Sequence, residues 1–145
     1  MKAFLDTSVL IAAFYSNHAH HEPSFDLFAQ QNKSAGCTAA HCLAEAFAVM
    51  TGMAGANRCS PDEALLFLND ARERLGLIVL NEIEHFTVLE RCAASGIAGG
   101  TTYDAIIAQC ALKANAQILY TWNIKHFNRL GGDLAARVRQ PPSAP

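Results

Sequence analysis

The chain has 145 residues, 51% apolar and 17% charged, which excludes a disordered polymer and fits one domain with a substantial core. A formal charge of −2 excludes a global basic field, so nucleic-acid contacts must come from a local patch or from bound cations. The five cysteines (Cys37, Cys42, Cys59, Cys92 and Cys110) form no Cys-x-x-Cys pair or zinc-spaced set with His, and read as buried small apolar residues of a reducing cytoplasm.

Ala3, Phe4 and Leu5 read as a strand buried on both faces, the kind found inside a parallel sheet. Asp6 breaks that run, which argues against a signal peptide and places a carboxylate at a strand's carboxyl end, where open α/β sheets bind ligands. A helix-capping or turn role is the alternative for Asp6. Thr7 and Ser8 are capping types, and an apolar helix runs from Ser8 to about Tyr15. Residues 16–23 form a polar break carrying His18, His20 and His21, read as a surface loop bordering the site because no Cys or acid stands at ligand spacing. Pro23 suits the start of a helix from about Ser24 to Gln31.

Residues 35–38 read as a second strand, followed by a helix from about Ala40 to Met53 with Leu43, Phe47 and Met50 on its core face. Glu45 has His41, Cys42, Ala48 and Val49 as its helical neighbours, so it is an acid among mostly apolar side chains. Unless it reaches water at a boundary, it needs a cation, a donor or a proton. Ser60-Pro61-Asp62-Glu63 is an N-cap opening a helix to about Leu75. Residues 77–80 give a third strand, and Glu84 to about Ala94 an amphipathic helix. After Gly99-Gly100, Thr101 or Thr102 can cap a helix to about Ala114. Asp104 stands three residues after Thr101, as in a capping box, yet Ile107, Ala108 and Ala111 on its face are apolar. Residues 117–121 read as a fourth strand, 124–130 as a short helix or turn, and Arg137 to Gln140 as a short edge strand. Residues 1–140 thus form a single domain, with 141–145 as a loose C-terminal tail.

Strands alternating with helices imply a three-layer α/β/α fold around a mostly parallel sheet of four to five strands. The strand ends carrying Asp6 and Asn123 then open on one edge, where the helices bearing Glu45 and Asp104 also begin. Carboxylates gathered without local Lys or Arg repel one another, and a hard divalent cation, Mg²⁺ or Mn²⁺, is the simplest compensation. Lys125, Arg129, Arg137 and Arg139 make a modest basic segment that could hold flanking phosphates, the alternative being a solvated helix face.

Leu5-Asp6-Thr7-Ser8, Glu45, Tyr103-Asp104-Ala105-Ile106-Ile107-Ala108 and the stretch from Leu119-Tyr120-Thr121-Trp122-Asn123 to Phe127 together resemble a PIN-domain protein, and within that family the VapC-type toxins of bacterial toxin-antitoxin pairs. The resemblance spans Lys2 to about Leu130. It implies a metal-dependent endoribonuclease acting on tRNA or rRNA, in which Asp6, Glu45 and Asp104 hold Mg²⁺ and activate water, supported by Thr7 or Ser8 and by Thr121. It also implies a small antitoxin partner and a homodimer. Two positions depart from the family pattern: Asn123 stands where an Asp is frequent, which weakens a second metal, and His126 stands where relatives often carry an acid. The rival within the fold is a non-catalytic RNA-binding protein with a weakened metal site. A phosphoaspartate enzyme of the haloacid-dehalogenase kind would need an acid at position 8, which is Ser. A receiver-like module would need an early acidic pair that is missing here.

Overall fold

Phe4 and Leu5 are fully buried, as a strand covered on both faces requires. The computed structural model, which describes residues 2–143, builds five strands into one sheet. These are β1 (Ala3–Leu5), β2 (Gly36–Ala39), β3 (Gly76–Ile78), β4 (Ile118–Tyr120) and β5 (Val138–Arg139). Every pairing is parallel, in the order β3-β2-β1-β4-β5, with Ala3 opposite Gly36 and Leu5 opposite Tyr120. Strand order reverses between β1 and β4, so the crevice of such a sheet opens beyond the carboxyl ends of those two strands.

Helices α1 (Thr7–Phe14), α2 (His21–Ala29), α3 (Ala40–Gly52) and α4 (Pro61–Arg74) pack with one another, and α5 (Glu82–Ser95), α6 (Thr101–Lys113) and α7 (Ile124–Asn128) form a second group. A satellite core around Ala46, Met50, Ala64 and Leu68 ties α3 to α4, and one around Val88, Cys92 and Ile106 ties α5 to α6. The main core runs along the sheet from Phe4 to Phe127. All five cysteines are free and buried. Among the described residues, no helix is long and apolar enough to cross a membrane.

Most boundaries follow local chemistry. Ser60 and Glu63 exchange the two hydrogen bonds of a capping box with Pro61 at the first helical position, and Asn81 and Glu84 do the same for α5. Ser60→Ala should therefore destabilise the protein by about 1 kcal/mol in a denaturant melt, without changing the midpoint's dependence on Mg²⁺. Close approach favours glycine at position 36, because a Cβ there would meet Leu75 at 3.0 Å and the Gln31 stem at 3.1 Å and would displace the Gln31 amide. Helix α2 begins at His21, three residues ahead of the expected Ser24, because Pro23 is tolerated anywhere in a first turn whose N–H groups have no intrahelical partner. A further short helix, α8 (Gly132–Ala135), precedes β5. Pro141, the first residue of the expected tail, is buried, and residues 144 and 145 lie outside the described residues.

Candidate active site

Asp6 is fixed by the sheet on one side and by a helix start on the other. Its N–H donates to the Tyr120 carbonyl at 3.0 Å, and its extended backbone makes it the N-cap of α1. The capping bond itself is marginal, 3.5 Å from Ser8 N to Oδ2. Two hydroxyls hold the carboxylate more firmly, Ser8 Oγ donating to Oδ2 at 2.9 Å and Thr121 Oγ1 at 2.8 Å. The exit of β4 aims both of them, since Trp122 N donates to Ser8 Oγ at 3.0 Å and Asn123 N to Thr121 Oγ1 at 2.9 Å. With their lone pairs so engaged, the hydroxyl protons turn toward Asp6. Of the expected supports, Ser8 and Thr121 reach the Asp6 carboxylate, whereas the Thr7 hydroxyl is buried without a hydrogen-bond partner. Asp6 is only 3% exposed, and burial pushes its carboxyl above the usual range against the opposing pull of those donors.

Glu45 lies in the second turn of α3, which starts directly from β2. Its side chain is 35% exposed and Oε1 sits 2.6 Å from His41 Nε2, close but out of hydrogen-bond alignment, so both buried atoms lack an aligned partner. Burial raises the Glu45 carboxyl; His41 opposes the shift, while Asp6 and Asp104 reinforce it as like charges. Asp104 sits in the first turn of α6 but makes no capping bond, and its carboxylate lies 3.6 Å from His126 Nδ1. Burial raises it too, with His126 lowering and Asp6 raising. The three acids therefore lie within electrostatic reach of one another at the carboxyl edge of the sheet, and the capping-box alternative for Asp104 falls away.

The sequence names His41 only as a helical neighbour of Glu45 and His126 only as a departure from the family pattern, and the structure sets each against an acid. His41 had a signal, four residues before Glu45 on one helix face. His126 had none beyond its place in the chain, because only the packing of α7 on α6 brings it to Asp104.

Among the described residues, no three His, Cys, Asp or Glu side chains are already gathered at metal-holding distances. The donor chemistry nevertheless fits a hard divalent cation. It consists of carboxylate oxygens, and among the described residues the only ion-pair partners of Glu45 and Asp104 are histidines. Mg²⁺ keeps several waters and commonly takes one or two carboxylates, so a closed three-acid cage is not required.

The remaining expected residues divide. Asn123 is exposed, and its amide makes no cap for α7, so its fixed contribution is the backbone N–H. Lys125 and Arg129 are exposed along α7, after the carboxyl end of β4. Arg137 is not brought to the site, because its guanidinium donates to the Ala116 carbonyl at the opposite edge, 3.1 Å away. The Arg139 guanidinium folds onto the carbonyls of Ala136 and Val138 at 2.9 and 2.8 Å. The histidine loop does border the site, since His20 stacks on Trp122 with ring centroids 3.8 Å apart. A groove of about 340 Å³ between α5, α6 and α8 lies apart from the acids, Asp133 being its only carboxylate.

The PIN domain family model matches residues 3–132. Over 114 residues the chain is 28% identical to Ribonuclease VapC40 of Mycobacterium tuberculosis, covering 79% of this chain and 81% of that protein. Its fold matches that of M. tuberculosis VapC20, a sarcin-ricin loop cleaving toxin, with TM-score 0.73 and 18% identity over 94% of this chain and 99% of the other. DNA-bound VapBC from Salmonella typhimurium matches with TM-score 0.65 and 22% identity, over 97% and 98% of the two chains.

Proposed function

Because the chain belongs to the PIN-domain family, we propose that it is a divalent-metal-dependent endoribonuclease, the toxin of a toxin-antitoxin pair acting in the cytoplasm. The observation that carries this reading is that Asp6, Glu45 and Asp104 share the carboxyl edge of the sheet, where burial raises all three carboxyls and the charge of Asp6 reaches both Glu45 and Asp104. Asp6, Asp104 and Glu45 would hold Mg²⁺ or Mn²⁺. When bound, the ion supplies charge neutralisation at the phosphodiester and lowers the pKa of attacking water.

The chain's own residues do the rest. Ser8 and Thr121 keep the Asp6 carboxylate oriented. Glu45, half-buried and raised by that burial above the ordinary carboxylate range, is a stronger base than a solvated glutamate and is suited to take a proton from water. Asp104 adds the second fixed negative charge, with His126 beside it. Lys125 and Arg129 are positioned to meet phosphates that flank the scissile bond. The name of VapC20, a sarcin-ricin loop cleaving toxin, supports ribosomal RNA as the substrate class, with transfer RNA the alternative, and the VapBC structure supports a small antitoxin as partner. A homodimer belongs to the same reading.

Incubating total RNA with the protein and Mg²⁺, then mapping the new ends, tests activity and target together. Discrete ends that disappear on chelation are expected. RNA left intact by metal-loaded protein would overturn the nuclease reading and favour an RNA-binding PIN protein.

A further inference from the structure

Two aromatic pairs adjoin residues of the acid site, and each leaves a ring, His20 in one and Tyr103 in the other, exposed to solvent. On one side, the rings of His20 and Trp122 stack at 3.8 Å with 9° between their planes. Trp122 is pinned from below, its indole N–H donating to the fully buried Ser24 Oγ at 2.8 Å, while His20 is exposed. The Trp122 backbone N–H also donates to Ser8 Oγ, the hydroxyl that holds Asp6. On the other side, the rings of His41 and Tyr103 stack at 5.3 Å with 25° between planes. His41 touches Glu45, Tyr103 precedes Asp104 in the chain, and Tyr103 is 54% exposed although it is a large ring. Each platform is therefore tied directly to a residue of the acid site.

Resting on the nuclease reading, we infer that these pairs are base-stacking subsites for single-stranded RNA, one on each side of the phosphodiester presented to the acids. A flat exposed ring beside an anionic cleft suits a nucleobase, because every base has a π-face and stacking needs no charge complementarity. The phosphates, repelled by the carboxylates, are then held in place by their bases as well as by cations. Stacking tolerates sequence, so target choice would rest on whether the RNA can splay its bases at this point.

Trp122 is the only tryptophan, so its fluorescence reads the first platform directly. The probe is a short single-stranded 2′-O-methyl RNA in Mg²⁺ buffer, checked by gel to remain intact, against an abasic strand with the same phosphates. The base-bearing strand should quench Trp122 saturably and bind about tenfold more tightly than the abasic one. His20→Ala and Tyr103→Leu should each weaken binding about tenfold at unchanged melting temperature, and Tyr103→Phe should restore it. Equal binding of the abasic strand, or wild-type affinity in both His20→Ala and Tyr103→Leu, overturns the inference. Cleavage of labelled RNA, assayed in parallel, separates the two claims. Base-dependent binding without cleavage sinks the nuclease reading alone, and cleavage without base dependence sinks the stacking alone.

Discussion

Asp104→Asn should reduce metal-dependent RNA cleavage by about a hundredfold to a thousandfold while the protein stays folded. The substitution keeps the shape of the side chain and removes one negative charge from the site. Charge stabilisation by a catalytic cation is worth several kcal/mol, and each 1.36 kcal/mol is tenfold in rate, which sets the scale. Stability should change little or rise slightly. Asp104 is 21% exposed, and its main charged companions are His126 and the like-charged Asp6 and Glu45, so losing its charge relieves repulsion. Circular dichroism and a melt of the variant, run beside the cleavage assay, would show wild-type structure. Wild-type cleavage in Asp104→Asn would remove Asp104 from the chemistry.

The second large effect joins pH to metal. Asp6, Glu45 and Asp104 all have carboxyls raised by burial, so the folded protein binds protons there more tightly than the unfolded chain does. For such groups stability falls as pH rises from the ordinary carboxylate range through the raised folded values, and the loss is complete above them. Glu63 and Glu84 act in the opposite sense, because hydrogen bonds from Ser60 and Lys113 respectively hold their carboxyls low. Their contribution is lost only as pH falls below the ordinary range, so the two effects occupy different parts of the scale. The metal-free protein should therefore melt lower at pH 8 than at a pH just above the ordinary carboxylate range, and Mg²⁺ should raise the melting temperature more at pH 8. At a hundredfold excess over Kd the ion contributes about 2.7 kcal/mol, and each kcal/mol moves the melting temperature of a chain this size by about 2–4 °C. In Asp104→Asn both the pH slope and the Mg²⁺ increment should shrink. A Mg²⁺ increment that is the same at both pH values, or the same in the variant, would contradict this electrostatic description of the site.

Much of this arrangement was legible in the residues themselves. Ala3 to Leu5 ending on Asp6 puts a carboxylate at a strand's carboxyl end, and although Asp6 also serves as the N-cap of α1, two hydroxyls hold it beyond what a cap requires. Glu45 and Asp104 stood out for being acids among apolar neighbours near helix starts, and the structure sets both within electrostatic reach of Asp6. The hydroxyl support was narrowed by geometry alone. Thr7 and Ser8 are equally good capping types, and only the path of β4 through Trp122 and Asn123 selects Ser8. His126 and the His20–Trp122 stack depend on contacts between elements distant in the chain, which no local periodicity encodes. Arg137 misleads for the same reason, since a positive residue near a basic segment says nothing about which sheet edge its guanidinium will reach. Helix α8 is too short to carry a period.

The account stands on one ion drawing three separated carboxylates together. A crystal structure grown with Mn²⁺, with anomalous scattering recorded at the manganese edge, tests that directly. The account predicts a peak at the carboxyl end of β1, with Asp6, Glu45 and Asp104 bound to it directly or through water. Density for the ion elsewhere, or the three side chains directed away from any such peak, would contradict it.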